Sequence, residues 1–160
     1  MTQTTSQSTH REMAVGGSKR TRQGMRIGVQ KLEKALARAT PTRETPWRDD
    51  VLKQLTELES VMTAQAAELR SEDGLLADLL LQHPRLARQI AELRDAYDRL
   101  VAGIRELREK FATERTSQIS SNVAEMRRRL AKLIEDVRDF QATETDLIYE
   151  AIQVDIGVGD

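Results

Sequence analysis

The sequence lacks the residues on which much enzyme and metal chemistry depends. It has no cysteine, which excludes disulfides, thiolate nucleophiles and cysteine-ligated zinc or iron–sulfur sites. It has only two histidines, His10 in the N-terminal region and His83 directly before a proline. The folded body has no histidine beyond His83 for a Ser-His or Cys-His catalytic system, so we assign no catalytic residue. The chain is therefore not expected to be an enzyme.

Other residue types and patterns that are rare in the sequence limit which class of protein this can be. Aromatic residues make up 3% of the chain and there are three prolines. No apolar run approaches the roughly 20 residues of a membrane span, and no apolar secretory signal begins the chain, so a cytoplasmic location is expected. What is plentiful is charge, at 32%, together with Leu, Ile, Val, Met and Ala, a composition typical of long amphipathic helices.

Charge is distributed unevenly along the chain. Residues 1–43 contain nine Lys or Arg and two Asp or Glu, whereas residues 44–160 contain 16 and 24. Residues 1–23 are rich in Ser, Thr and Arg and offer almost nothing to bury, so we predict a disordered basic arm there. A single domain is predicted for residues 24–160. The arm has no aromatic residue to stack on bases, so nucleic-acid binding is not expected and stays a weaker hypothesis.

Apolar residues recur at alternating spacings of four and three, which predicts helices. No stretch shows the alternation of a β-strand. The expected fold is all-α, an up-down antiparallel helical bundle that resembles a four-helix bundle, with three long helices and shorter packing helices. The long helices are predicted at about 46–70, 83–111 and 118–153, and the shorter elements at 24–39 and 75–82.

The helix ends carry their own signals. Thr45 is predicted to cap the first long helix, with Pro46 at the first helical position. The stretch SEDG at 71–74 offers a cap and a glycine break, and polar residues 112–121 are predicted to form a turn. At the C-terminus, DIGVGD is expected to end the last helix, with Ile156 and Val158 packing back onto the bundle.

Four polar residues interrupt or flank the apolar faces of the long helices: Gln65, Tyr97, Gln141 and Glu144. A buried carboxylate is costly unless it is paired, hydrogen-bonded or bound to a metal. Bundle proteins build metal sites from polar groups that several helices point inward. These four residues are therefore the candidate metal ligands, although none is assigned as one.

The stretch RDFQATETDLIYEAIQVDIG at 138–157, with GLLADLL at 74–80 and HPRLARQIAELRDAYDRL at 83–100, resembles bacterial proteins of the hemerythrin-like, HHE cation-binding type. The resemblance covers most of residues 25–160. It implies a helical bundle with an iron-binding core of histidines and carboxylates. Histidines would then be expected near Gln65, Tyr97 and Gln141, and none is present. The resemblance thus implies a scaffold that has lost its metal.

The predicted positions of Tyr97 and Gln141 along their helices argue against a compact metal site that contains both residues. If the last two long helices fold back near residue 115, Tyr97 lies opposite about residue 133. Gln141 is then roughly 12 Å further along the axis. Tyr97 is interpreted as a core-edge aromatic whose hydroxyl finds a partner, and Gln65 as partly exposed near its helix end.

Glu144 has a structural interpretation and a functional one. Folding back near residue 115 places it at the level of Arg85 and Arg88, so we predict an ion pair with one of them or a position at the bundle edge. The alternative is a di-iron or oxygen-binding protein. That alternative requires Glu144 and Tyr97 to converge with further carboxylates: Glu68, Asp95 and Glu150.

The absence of usable ligands and the long apolar faces favour a role in binding. We expect a scaffold or protein–protein interaction module, with self-association as one form of it. No cofactor is expected, iron being the alternative. Which protein is the partner does not follow from the sequence.

Overall fold

A computed structural model of the chain describes residues 22–38 and 42–157, and in this part of the chain every regular element is a helix. The all-α prediction is therefore confirmed. None of the helices described is both long enough and apolar enough to cross a membrane. The elements are α1 (22–37), α2 (Glu44–Arg70), α3 (Leu75–Gln82), a 3-10 turn (Pro84–Leu86), α4 (Ala87–Thr113) and α5 (Thr116–Gly157).

The four longer helices pack side by side, each antiparallel to its neighbours, in the order α1, α2, α4, α5 and back to α1. Apolar faces at the predicted spacing meet in the middle, with Met25, Leu58, Ile104 and Leu130 almost fully buried. Ion pairs on the outside join each neighbouring pair of helices: Lys31–Glu57 (3.5 Å), Arg105–Glu59 (3.1 Å), Arg85–Glu150 (3.0 Å) and Arg138–Glu33 (2.5 Å).

Several predicted boundaries shift. Helix α1 already includes residues 22 and 23, which we had assigned to the basic arm; residues 1–21 lie outside the described residues. Helix α5 begins at Thr116, inside the predicted turn, and continues to Gly157 instead of ending near residue 153. The predicted packing of Ile156 and Val158 also lies outside what the structure describes.

The prediction that Thr45 caps α2 is wrong. The helix begins at Glu44, the capping position is Arg43, and no side chain caps the helix. Pro46 is then the third helical residue, where a backbone N–H would still have no partner within the helix, so its missing N–H removes no helical hydrogen bond. Glu44 in the first turn also complements the helix dipole.

Arginines from neighbouring helices bind the free carbonyl groups at three helix ends. Arg94 of α4 donates to the Leu69 carbonyl at the end of α2 (2.9 Å). Arg48 of α2 donates to the Glu114 carbonyl directly after α4 (2.9 Å). Arg127 of α5 donates to carbonyls at the end of α1. The last carbonyls of a helix have no partner within it, so these contacts both satisfy them and fix how far each helix slides along its neighbour.

The register between α4 and α5 differs from the prediction. The rings of Tyr97 and Phe140 meet edge to face with centroids 5.1 Å apart, so the two helices reflect about residue 118, not 115. The loop between them is only Glu114 and Arg115, and residues 116–118 of α5 are exposed beyond the core. The predicted separation of roughly 12 Å between Tyr97 and Gln141 is therefore wrong, because Gln141 directly follows Phe140.

Candidate functional site

A polar layer crosses the bundle core at one level. It consists of Gln65 from α2, Tyr97 from α4 and Glu144 from α5, with Arg22 of α1 approaching Glu144. The Tyr97 hydroxyl donates to the Met62 carbonyl and to Oε1 of Gln65, each 3.0 Å away. The predicted partner for the Tyr97 hydroxyl is thus confirmed. Gln65 and Tyr97 are in contact, whereas Glu144 lies about one turn of α5 beyond Phe140 and acts on Tyr97 through its charge.

Gln65 is not partly exposed as predicted; only 2% of it is accessible to solvent. It lies near the end of α2, but α4 extends past that end. The hydrogen bond from Arg94 to the Leu69 carbonyl holds α4 over the last turn of α2. Closeness to a helix end in sequence therefore does not make this side chain accessible.

Tyr97 is held in its neutral form. Burial raises the pKa of its hydroxyl far above the ordinary value, and the negative charges of Glu144 and Glu68 raise it further. The phenol therefore keeps its proton at any physiological pH. It acts as a hydrogen-bond donor within the core.

Glu144 is buried, with 3% of its surface accessible. Burial raises the pKa of its carboxyl, and the positive charge of Arg22 partly opposes this. The predicted pairing with Arg85 or Arg88 is wrong. Arg85 pairs with Glu150 (3.0 Å) and Arg88 with Glu92 (2.9 Å), because the shifted register of α5 places Glu150 at the level of Arg85.

The donors in the polar layer do not match an iron site of histidines and carboxylates. They are one carboxylate, one protonated phenol and one amide, and Gln141 lies outside the layer, half-buried. Of the further carboxylates that the alternative requires, Asp95 is exposed and Glu150 is engaged with Arg85. Within the described ranges, no three His, Cys, Asp or Glu side chains lie close enough to hold a metal ion.

A groove of about 690 Å³ runs along the outer side of the seam between α4 and α5. Two small side chains, Ala96 of α4 and Thr143 of α5, line it. Its floor is apolar and comes from the outer edges of core residues: Leu93, Leu100, Phe140 and Leu147. Sequence reasoning missed this groove, because its position depends on the register between α4 and α5, which was predicted incorrectly.

The rim of the groove is acidic. Five carboxylates line it against one cation, Arg99; they are Glu92, Asp136, Asp139, Asp146 and Glu150. Three of them form exposed ion pairs with Arg88, Lys132 and Arg85. Asp139 and Asp146 have no ion pair with any residue that the structure describes. Exposed pairs are weak and exchange readily, so a cationic partner meets a negative rim.

No protein-family model, curated protein or solved structure matches the chain. The hemerythrin-like resemblance therefore stays a prediction. We therefore argue function from the polar layer inside the bundle and from the groove on its surface.

Proposed function

We propose that the chain is a non-catalytic helical-bundle module that binds protein through an exposed helix face, on a scaffold of the hemerythrin-like type. The groove between α4 and α5 carries this proposal. It combines an apolar floor with a charged rim, the arrangement that binding sites for helices have in other proteins. Its acidic rim would select the partner by charge.

The dimensions of the groove suit one helix. Its lining on α4 extends from Gln89 to Leu100, which corresponds to about 16 Å or three helical turns. The gap beside Ala96 and Thr143 gives room for side chains of the incoming helix to pack between α4 and α5. Packing of ridges into such grooves is how helices usually associate.

The polar layer supports the scaffold part of the proposal. Three helices each bring one polar residue to the same level in the core, close to where the hemerythrin-like resemblance implies ligands. Gln65 and Tyr97 stand where histidines are implied, and they bind each other through a hydrogen bond. The hydrogen bond between Gln65 and Tyr97 contributes to the register of the helices and leaves binding to the surface.

Site-specific photo-cross-linking tests this function. A photoreactive phenylalanine analogue replaces Thr143, beside the groove, in the full chain expressed in cells. The matched control places the same analogue at Thr63, which is exposed on α2 and outside the groove. We expect a discrete protein adduct from position 143 and none from position 63. Equal adducts at both positions, or none at position 143, would contradict the proposal.

A further inference from the structure

We infer that the protein in the groove is a second copy of this chain, which inserts the outer face of its α1 between α4 and α5 of its neighbour. This inference rests on the proposed function and names its partner. It predicts head-to-tail association, because the two contacting surfaces differ and lie on different sides of the bundle.

Charge complementarity is the first argument. Residues 22–38 carry five Lys or Arg and one Glu, and two of these cations, Arg26 and Lys34, form no ion pair with a described residue. The groove lies on another side of the bundle and is lined by five carboxylates and one arginine, and two of these carboxylates, Asp139 and Asp146, likewise form no ion pair with a described residue. The molecule is nearly neutral overall but strongly divided, so two copies attract when α1 of one faces the groove of the other. Two grooves, or two α1 faces, repel each other.

The spacing of the charges is the second argument. Asp139 and Asp146 are seven residues apart on α5, so they lie on one side of that helix about 10 Å apart. On α1, Arg26 and Lys34 are both exposed, and about 12 Å of helix separates them. Neither cation forms an ion pair with another residue in the described part of the chain. Two cations on one copy therefore match two carboxylates on the other.

The third argument is an exposed apolar side chain between these cations. Ile27 of α1 is 42% exposed although it lies in a well-packed helix. It lies seven residues from Lys34, so these two side chains share one outer side of α1, and Arg26 lies at the flank of that side, about 100° around the helix from Ile27. We place Ile27 beside Ala96 and Thr143, where the groove has room for a branched side chain.

The predicted association is weak and sensitive to salt. One helix seated over three turns forms an interface at or below the small end of the range of roughly 1,200–2,000 Å² for stable complexes. Much of the attraction is between exposed charges, which salt screens over about 8 Å at physiological ionic strength. Association should therefore appear at high protein concentration and low salt.

Sedimentation velocity of the full chain over a wide concentration range, at low and high salt, provides the test. Asp139→Lys with Asp146→Lys reverses the groove, and Arg26→Glu with Lys34→Glu reverses the α1 face; all four residues are exposed. We expect each double variant to weaken self-association by about tenfold or more. The quadruple variant, which combines both charge reversals, should regain self-association. A mixture of the two double variants should also associate, because the reversed groove of one meets the reversed α1 face of the other.

A matched control separates specific contact from net charge. Glu72→Lys with Asp73→Lys changes the net charge as the groove variant does, but both residues are exposed in the turn before α3. This control should associate as the natural chain does. Circular dichroism of every variant confirms that the helices are intact.

Two results would overturn the inference: a monomer at every concentration, or association that the groove variant leaves unchanged. If the chain is a monomer while position 143 still cross-links to a different protein, the inference fails and the proposed function stands. If neither self-association nor cross-linking at position 143 occurs, both fail.

Discussion

The hydroxyl of Tyr97 on α4 donates a hydrogen bond to Oε1 of Gln65 on α2, across 3.0 Å in the buried core. The same hydroxyl reaches the Met62 carbonyl, so a single phenol joins two helices at two points. Buried polar groups without partners are costly. Sliding α4 along α2 by one turn would break both contacts, and this pair therefore helps to define the register of the bundle.

Replacing Tyr97 by Phe keeps the ring packed on Phe140 but removes the donor. We expect the free energy of unfolding to fall by about 1–3 kcal/mol, because the Gln65 amide and the Met62 carbonyl lose a buried partner. Chemical denaturation measures the loss. Tyr149→Phe is the control, since Tyr149 is exposed and, within the described ranges, its hydroxyl accepts a hydrogen bond from Gln153 of the same helix. Equal stability of both variants would show that the buried hydrogen bond contributes nothing.

The sequence predicted the fold class and nearly every buried apolar residue, because helical spacing alone defines which face is buried. It did not predict the register of α4 against α5. That register depends on a two-residue loop, which has no periodic signature. The error at Glu144 follows from it. The error at Gln65 has a separate cause, because α4 extends past the end of α2 and covers this side chain.

The buried carboxyl group of Glu144 should make the stability of the fold depend on pH in an unusual way. Its pKa is raised in the folded protein by burial, so ionised Glu144 destabilises the fold above that pKa. This penalty disappears as the pH falls through the folded pKa toward the ordinary value. Glu144→Gln should therefore stabilise the protein at neutral pH, by an amount on the order of 1 kcal/mol. The gain should vanish in acid.

The control for this substitution is Glu150→Gln. Glu150 is partly exposed and pairs with Arg85, so its replacement should change stability little at any pH. Denaturation of both variants between about pH 4 and 8 distinguishes them. A loss of stability for Glu144→Gln at neutral pH would mean that the carboxylate has a stabilising ionic partner.

Glu59 should show the opposite dependence on pH. Burial opposes its ionisation, but hydrogen bonds from Arg108 and Arg105 outweigh this and lower its pKa. A lowered pKa stabilises the fold above the ordinary pKa of the carboxyl, and this contribution is lost as the pH falls through the folded pKa. Glu59→Gln should cost less than about 1 kcal/mol at neutral pH and nothing in acid.

For Glu59, Glu57→Gln serves as the comparison. Its pair with Lys31 is longer, at 3.5 Å, and both side chains are about half exposed. We expect a smaller change than at Glu59. If the two substitutions cost the same at neutral pH, the two arginines add nothing beyond an ordinary surface pair.

The hydrogen bond from Arg94 to the end of α2 should stabilise the fold. Arg94→Met keeps most of the apolar stem but removes the donor to the Leu69 carbonyl. We expect a loss of about 1 kcal/mol and faster amide exchange in the last turn of α2. Arg99→Met on the same helix is the control, because Arg99 lies on the rim of the groove and forms no ion pair with a described residue. Identical exchange in both variants would contradict the role of Arg94.

The groove itself could not have been located from the sequence. Its existence requires Ala96 and Thr143 to lie at the same level on opposite sides of the α4–α5 seam, and the incorrect register placed them apart. The negative charge of the groove could be predicted more easily from the sequence than its position. The sequence already separates a basic N-terminal region from an acidic remainder, and the fold places α1 and the groove on different sides of the bundle.

Protection of a single thiol tests binding at the groove most directly. The chain has no cysteine, so Thr143→Cys introduces the only reactive thiol, with Thr63→Cys on α2 as the matched control. We predict that the rate at which a membrane-permeant maleimide modifies position 143, divided by the rate at position 63, is several times lower in cells than in dilute purified protein. An equal ratio in the two settings would mean that nothing occupies the groove.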